Sequence, residues 1–263
     1  MTHLRPAPAW RDWLAAAADA APLRARVPLW CGTQRIGSVE PDLLQRAGLA
    51  GGPLVRADAA SGWRIEGEPT ASLARIAQVL ADNGLAHAWR DEQLAVRSDG
   101  GALLATVERA VVRPLGIATH AVHLTAVDPA GRIWLQQRAF DKPTDPGLWD
   151  TLVGGLVAAQ DTQEQALERE TWEEAGLRLP QAQGLRHGGR LFTRRPFREL
   201  PHGYVVEVLD WYACTLPADV SPANQDGEVA GFRAMDGDEV TQRLERGEFT
   251  IDAALVLLAA HGA

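Results

Sequence analysis

The chain has 263 residues, of which 46% are hydrophobic and 23% charged, a composition typical of a globular protein with an apolar core. Its net charge of −8 argues against binding nucleic acid through a basic surface, and no apolar run approaches the ~20 residues that span a bilayer. The cysteines, Cys31 and Cys214, are too few for a disulfide framework and favour a reducing compartment. We therefore expect a cytoplasmic protein, a monomer or homodimer, that binds a small molecule and neither nucleic acid nor membrane.

Residues 1–113 predict a small α+β domain without a catalytic signature. Its expected elements, in chain order, are a helix over 8–22, a strand pair in VPLWCGTQRIGSV that turns at Gly32–Thr33, a helix near 40–48, strand and turn over 51–67, and a helix capped by Thr70 or Ser72 that ends at Asn83–Gly84. Leu73, Ile76, Val79 and Leu80 recur at helical spacing, so the last of these helices has an apolar face.

Residues 114–263 predict a second, larger domain that mixes helices and strands, with the boundary near Arg113–Gly116. Its expected elements are strands in THAVHLTAV and RIWLQQRA joined by a hairpin turn at Asp128–Gly131, a Pro/Gly-rich loop in DKPTDPGLWD, a helix from about Thr162 to Ala175, strands in RHGGRLFTR and GYVVEVLDWYACTL, and helices over 237–246 and 250–261. The chain is thus of the α/β class.

The helix expected over 162–175 carries a cluster of acids. Glu170, Glu173 and Glu174 lie within an arc of roughly 100° on one helix face. Three like charges at this spacing repel one another, and a hard divalent cation among them would remove the repulsion. Mg²⁺ prefers carboxylate oxygens, and the glycine pair Gly154–Gly155 would let backbone carbonyls approach it. The alternative is an ordinary solvated acidic helix face.

The segment GGLVAAQDTQEQALERETWEEAGL resembles the Nudix box, GX5EX7REUXEEXGU, of the Nudix hydrolases. The positions that match in register are Gly155, Asp161, Arg169, Glu170, Glu173, Glu174 and Gly176. Asp161 stands where the family has glutamate, Gln160 where glycine is frequent, and Thr171 where a larger aliphatic residue is usual. Because the REXXEE core is intact, we expect an active enzyme.

The resemblance implies an α/β/α sandwich and Mg²⁺-dependent hydrolysis of a diphosphate linked to another group, with Mn²⁺ as an alternative cofactor. It also implies that Glu170, Glu173 and Glu174 hold the metal together with the Gly155 carbonyl. Arg169 lies four residues before Glu173 and can orient a carboxylate. Such a metal neutralises the diphosphate and acidifies the attacking water.

Five residues outside the box are candidate contacts of the substrate or the reaction. Arg138 and Lys142 are candidate cations for the diphosphate, and Lys142 is the one lysine among 26 basic residues. Trp149, directly before the box, is a candidate aromatic wall for a ring system. His123, on a predicted strand, is a candidate contact with a structural role as the alternative. Glu228 follows a turn and is a candidate extra ligand or base, or a plain turn acid.

Further stretches resemble the two-domain Nudix group related to thiamine pyrophosphokinase. They are VPLWCGTQRIGSVEPDLL, LAHAWRDEQLAVR, RPLGIATHAVHL, DKPTDPGLWDTLVGG, NQDGEV and GEFTIDAALV. That group is similar to thiamine diphosphate phosphatases, which implies conversion of thiamine diphosphate, and of damaged oxo- and oxythiamine analogues, to the monophosphate and phosphate. This would be a metabolite-repair activity. The box alone indicates only a diphosphate hydrolase.

Three other interpretations compete with this one. DKPTDPGLWDT also resembles isopentenyl diphosphate isomerase, but that isomerase needs a cysteine where this chain has Thr151–Leu152–Val153. A hydrolase of a nucleoside diphosphate derivative such as ADP-ribose remains an alternative, although the proline expected in such enzymes is replaced by Thr193. A catalytically weakened binding module is the third, since Asp161 and Gln160 depart from the box.

Overall fold

The computed structural model describes residues 3–52, 54–58 and 62–262. The helices in these ranges are α1 (Pro8–Ala18), α2 (Leu43–Arg46), α3 (Pro69–Asp82), α4 (Gln163–Ala175), α5 (Gly237–Glu245) and α6 (Ile251–His261). The strands are β1 (Val27–Cys31), β2 (Gln34–Val39), β3 (Val55–Asp58), β4 (Gly62–Ile65), β5 (Gln93–Arg97), β6 (Leu103–Glu108), β7 (Thr119–Val127), β8 (Ile133–Arg138), β9 (Trp149–Asp150), β10 (Val153–Leu156), β11 (Gln183–Pro196), β12 (Tyr204–Thr215) and β13 (Val229–Met235). None of these helices is both long and apolar enough to cross a membrane.

The N-terminal part is built on a four-stranded sheet with the order β2-β1-β4-β3 and on a separate β5–β6 hairpin. The predicted strand pair and the strands within 51–67 are confirmed, whereas the turn expected between β3 and β4 lies outside the described residues. The predicted cap of α3 is wrong. The carboxylate of Glu68 accepts hydrogen bonds from the backbone nitrogens of Thr70 and Ala71, at 3.1 and 2.7 Å, and Pro69 opens the helix.

The C-terminal part is built on a seven-stranded sheet. Its main path is β11-β12-β7-β8-β13, with β10 paired to β7 and β9 paired to β8. Successive β7 side chains point to opposite faces. Val122, Leu124 and Ala126 pack with α4, while Thr125, on the other face, meets His261 at the end of α6. Helices therefore cover both faces, and the predicted α/β/α sandwich with an additional smaller N-terminal α+β part is confirmed.

The two parts share an apolar core. Leu94 and Val107 of the β5–β6 hairpin are buried in one cluster with Ala121, Leu156 and Leu209 of the large sheet. The hairpin is consequently fixed against the strand that leads into α4.

Helix α1 packs with the C-terminal part of the chain. Leu4 and Leu14 are buried in a cluster with Leu257 of α6, and the backbone nitrogen of Leu4 donates to the His261 carbonyl at 2.8 Å. By packing, this helix belongs with the large sheet although it precedes the small one in the chain. A boundary between domains at 113/114 stays a prediction.

Candidate active site

Helix α4 is fixed at both ends by local sequence. Thr162 caps its N-terminus, since the Thr162 hydroxyl accepts from the backbone of Gln165 and the Gln165 side chain accepts from the backbone of Thr162. Gly176 ends the helix with a φ of 62°, a left-handed conformation that favours glycine. The buried Ala166 and Leu167 hold the helix on β7 and β10. The REXXEE segment is thereby placed beside the Gly154–Gly155 strand.

Glu174 is the most deeply buried acid of the box, with 1% of its surface exposed. Its Oε2 accepts hydrogen bonds from the Gly154 nitrogen and from Nε2 of Gln136, both at 2.9 Å. Its Oε1 lies 3.6 Å from Nζ of Lys142. Burial raises the pKa of Glu174 to about 7, and the lysine only partly offsets this effect. A bound divalent cation would lower this pKa and favour the ionised carboxylate at neutral pH.

Glu170 lies directly against Gly155. A Cβ at Gly155 would come within 2.1–2.5 Å of the three carboxyl atoms of Glu170, so a side chain does not fit there. Burial raises the pKa of Glu170 to about 7, although Arg169 opposes the shift. The repulsion between Glu170 and Glu174 adds to the raised pKa of Glu174.

The guanidinium group of Arg169 donates hydrogen bonds to three carboxylates. Its Nε donates to Asp161 at 3.0 Å, and its Nη1 lies 2.7 Å from Glu170 and 3.0 Å from Glu173. The side chain of Glu173 is 44% exposed, whereas that of Glu170 is 13% exposed. Asp161 therefore contacts the glutamates only through its hydrogen bond to Arg169. Glu173 is more exposed than Glu170 and Glu174, the two buried glutamates.

A cavity of about 70 Å³ separates the buried acids from a set of cations. It is lined by Arg90, Arg109, Arg138, Lys142, Pro143, Thr144, Gly154, Gly155, Glu170, Glu174 and Glu228. Among residues 3–52, 54–58 and 62–262, no group of three or more His, Cys, Asp or Glu side chains is already gathered as a metal ion would need. Glu170 and Glu174 line the cavity, whereas Glu173 does not line it and is ion-paired with Arg169.

The donors around this cavity fit a hard divalent cation. Carboxylate and carbonyl oxygens are the ligands that Mg²⁺ takes in proteins, usually one or two carboxylates with several waters. Glu170 and Glu174 supply two buried carboxylates of raised pKa. Because Gly155 has no side chain, the Glu170 carboxylate can lie directly against its backbone. The site can therefore accept the metal that the sequence predicts.

Lys142 and Arg138 both line the cavity, as candidate diphosphate cations should. Nζ of Lys142 lies 2.6 Å from Oε2 of Glu228, and only 10% of this lysine side chain is exposed. Arg138 donates from Nη2 to the Thr144 carbonyl at 2.9 Å, and its Nη1 lies 3.4 Å from Asp150. Both cations are held by the protein before any substrate is bound.

A second cavity, of about 150 Å³, adjoins the first and shares Gly154, Gly155 and Arg138 with it. His123 lines this second cavity, buried on β7, with its Nδ1 3.0 Å from the Thr151 hydroxyl and 3.8 Å from Asp150. This position agrees with either predicted role for the histidine, structural or substrate-contacting.

Trp149 does not form an aromatic wall. Only 7% of its surface is exposed, and it packs in the apolar cluster with Ile133, Leu244 and Phe249. It lines neither of the two cavities. Because strand β9 pairs with β8, its ring points toward α5 and α6 and away from the acids. The predicted substrate contact at Trp149 is contradicted by this packing.

Sequence reasoning missed three cavity residues that come from the N-terminal part. Nη1 of Arg90 lies 3.5 Å from Glu228, and Arg109 reaches the same cavity. Burial lowers the pKa of Arg109, but Glu92, Glu170 and Glu228 raise it above its ordinary value. His87 donates to or accepts from Thr144 at 3.1 Å. His87 and Arg90 lie in LAHAWRDEQLAVR, a stretch that resembles the two-domain Nudix group, but nothing in it indicates contact with the acids. Tertiary packing of the β5–β6 hairpin, which these residues flank, brings them to the site.

Comparison with known proteins agrees with this architecture. The NUDIX domain family model matches residues 118–255. Nudix hydrolase 24, chloroplastic, of Arabidopsis thaliana is 28% identical over 195 residues, which cover 73% of this chain and 53% of the relative. Nudix hydrolase 20, chloroplastic, of the same plant is 28% identical over 185 residues, covering 68% of this chain and 48% of the relative. The chain therefore spans about half the length of these curated relatives.

A solved structure shares the fold. The crystal structure of DR0079 from Deinococcus radiodurans aligns with a TM-score of 0.50 and 20% identity, over 64% of this chain and 98% of that one. The family model covers more than half of the 263 residues, including strands β7–β10 and the acidic helix α4. The chain belongs to the Nudix family.

Proposed function

We propose that the chain is a Mg²⁺-dependent diphosphate hydrolase whose substrate is thiamine diphosphate or one of its oxidised analogues. The observation that carries the reaction class is the small cavity in which Glu170 and Glu174 face Lys142. Carboxylates that could bind a metal and cations that could bind phosphate line the same cavity, which supports phosphoryl transfer.

In this proposal Glu170, Glu174 and the Gly155 carbonyl hold the metal, and Glu173 is available at the rim. The ion, when bound, neutralises the diphosphate and acidifies the attacking water. Arg169 orients the carboxylates of Glu170 and Glu173, because it already donates to both. Asp161 keeps Arg169 in place through a hydrogen bond of 3.0 Å.

The cations bind and orient the diphosphate. Lys142, Arg138, Arg90 and Arg109 all line the cavity, and their side chains would donate charge-assisted hydrogen bonds to the diphosphate. Burial raises the pKa of Glu228, but Lys142 outweighs that effect and holds the pKa below its ordinary value. Glu228 is therefore ionised at neutral pH, and its lowered pKa makes it a weak proton acceptor and favours a role in holding Lys142.

The substrate group beyond the diphosphate would occupy the adjoining cavity of about 150 Å³. The choice of thiamine diphosphate rests on the resemblance of DKPTDPGLWDTLVGG and the other quoted stretches to the thiamine-related two-domain Nudix group. The test compares hydrolysis of thiamine diphosphate, oxothiamine diphosphate, oxythiamine diphosphate, isopentenyl diphosphate and ADP-ribose, with Mg²⁺ or with EDTA. Released phosphate is measured for the four terminal diphosphates, and formation of AMP is measured for ADP-ribose, whose hydrolysis gives AMP and ribose 5-phosphate. We expect a thiamine compound to give the highest kcat/KM. Preference for ADP-ribose would overturn the substrate and leave the reaction class standing.

A non-catalytic binding module is a second candidate. It is favoured by one observation: in the described structure the glutamates are paired with Arg169 and Lys142 and no metal-binding trio is gathered. Glu174→Gln separates the two functions, because it removes a metal ligand and keeps the shape of the side chain. We expect turnover to fall by at least about 100-fold in this variant. Absence of Mg²⁺-dependent phosphate release from wild-type protein with every compound tested would support the binding module.

A further inference from the structure

A separate cleft of about 920 Å³ lies between the N-terminal part and the large sheet. Residues of β2 and β5 form one side, and the starts of β7 and β12 with the middle of β11 form the other. The glutamates of α4 and Lys142 do not line it. Its volume falls within the range of about 300–1,000 Å³ that small-molecule sites occupy.

The cleft is cationic in a chain whose net charge is −8. Its charged lining residues are Arg26, Arg35, Arg97, Arg190, Arg194, Asp99 and Asp161. The carboxylate of Asp161 is already engaged by Arg169. Neither Arg35 nor Arg97 forms an ion pair with a described residue, and each donates only to a nearby backbone carbonyl. These two guanidinium groups are free to receive an anion.

His120 lies in the same cleft. It is half-buried on β7, and its imidazole makes no hydrogen bond with any residue that the structure describes, although its backbone carbonyl accepts from Val157 at 2.8 Å. Burial lowers its pKa, and the positive charges of Arg97 and Arg190 lower it further. The carboxylates of Asp210 and Glu207 act in the opposite direction, and His120, Arg97 and Arg190 all line the cleft.

The same cleft also contains an exposed aromatic side chain. Phe192 lines the cleft with 71% of its surface exposed. On strand β11, Phe192 lies two residues from Arg190 and two from Arg194, so the three side chains point to one face. Arg190 and Arg194 are ion-paired with Asp210 and Asp19, so Phe192 offers a flat apolar face and Arg97 remains available to the negative group of a ligand.

We propose that this cleft binds a phosphorylated compound with an aromatic ring, at a site separate from the diphosphate cavity. The phosphate would lie beside Arg97, whose guanidinium group is not ion-paired with a described residue, because guanidinium groups donate in pairs to phosphate oxygens. His120 and Nη1 of Arg190 would be further donors, since Nε and Nη2 of Arg190 already donate to Asp210. The ring would stack on Phe192. The ligand would touch both parts of the chain, through Arg97 on one side and through β7 and β11 on the other.

The test is binding of AMP, which has no diphosphate bond to hydrolyse, measured by calorimetry on the full chain in EDTA. Adenosine and inorganic phosphate are titrated separately to resolve the contributions of the ring and the phosphate. The cleft variants are Arg97→Gln and Phe192→Ala, both at exposed positions. The matched control is Arg90→Gln, which changes a cation of the diphosphate cavity. We expect the Kd of AMP to rise at least tenfold in each cleft variant and to stay within twofold in the control.

Three results would overturn the proposal: no binding of AMP by wild-type protein at millimolar concentration, equal binding by all variants, or loss of binding in Arg90→Gln alone. The last would place AMP in the diphosphate cavity. Because the titration uses no metal and no turnover, its outcome is independent of the proposed hydrolase activity.

Discussion

A Cβ atom on Gly155 would stand 2.1 Å from the carboxyl carbon of Glu170, so strand β10 and helix α4 meet at this point with no side chain between them. The contact joins the first glycine of the box and the first glutamate of its REXXEE segment. It explains in steric terms why a glycine is needed fifteen residues before that glutamate.

Gly155→Ala should displace the Glu170 carboxylate and lower kcat by on the order of 100-fold, because a shift of about 1 Å in a catalytic group has effects of that size. The measurement is Mg²⁺-dependent phosphate release together with the circular dichroism spectrum. Gly231→Ala is the matched control, since a Cβ at Gly231 meets no atom within 4 Å. Equal activity of the Gly155 variant and wild type would contradict the placement of Glu170 at the metal.

Lys142→Met should reduce kcat/KM by about 10- to 100-fold. The substitution removes a charge-assisted contact to the diphosphate and leaves Glu174 and Glu228 without their shared cation. Lys142→Arg should recover part of the loss because it restores the charge. Steady-state kinetics measure the effect, with Arg233→Met on the exposed side of β13 as the control. A variant with wild-type kcat/KM would remove Lys142 from the site.

Arg90→Gln should raise KM for the diphosphate substrate about tenfold while the melting temperature changes little, since the Arg90 side chain is 33% exposed. Substrate affinity would fall because the substitution removes one of the four cations that line the cavity. The effect would show that Arg90, in the N-terminal part of the chain, contributes to substrate binding. Arg75→Gln, on the exposed face of α3 in that same part, should behave as wild type. Equal KM values for the two variants would show that the N-terminal part does not contribute to substrate binding.

The lowered pKa of His261 predicts that the free energy of unfolding decreases in mild acid. Burial lowers its pKa from 6.5 to about 4, and Arg186 and His3 act in the same direction. A neutral, buried histidine stabilises the fold above its unfolded pKa, and this contribution is lost as pH falls from 6.5 to about 4. The loss amounts to at most about 3 kcal/mol.

Urea unfolding of wild type and His261→Gln between pH 7.5 and 4 measures this contribution. The glutamine can keep a hydrogen bond to Thr125 but does not titrate. We expect the stability of the two proteins to converge or cross as the pH falls. Parallel curves across the whole range would show that His261 does not titrate differently in the folded state.

The acidic helix was predictable because its determinants are local. Thr162 caps α4 and Gly176 ends it, as the sequence indicates, and the hydrophobic alternation of β7 marks the central strand. The placement of Glu170 beside Gly155 follows from the box spacing. These features depend on neighbours within about twenty residues, so they can be inferred before the fold is known.

The features that were missed depend on packing between distant segments. Trp149 precedes the box in the chain, but pairing of β9 with β8 turns its ring into the core. Arg90 and Arg109 lie more than forty residues before Gly155 and reach the cavity because the β5–β6 hairpin shares a core with the large sheet. Glu173 has the spacing of a ligand, yet its conformation is set by Arg169.

The backbone contact between Leu4 and His261 has a consequence for synthesis. Helix α6 follows α1 by more than two hundred residues, so the apolar face of α1 lacks this partner until α6 is synthesised. Helix α1 must therefore stay unpacked on this face, or be shielded by a chaperone, until α6 has left the ribosome. Ribosome-arrested chains that stop before α6 should accordingly expose α1 to proteases, and full-length chains should protect it.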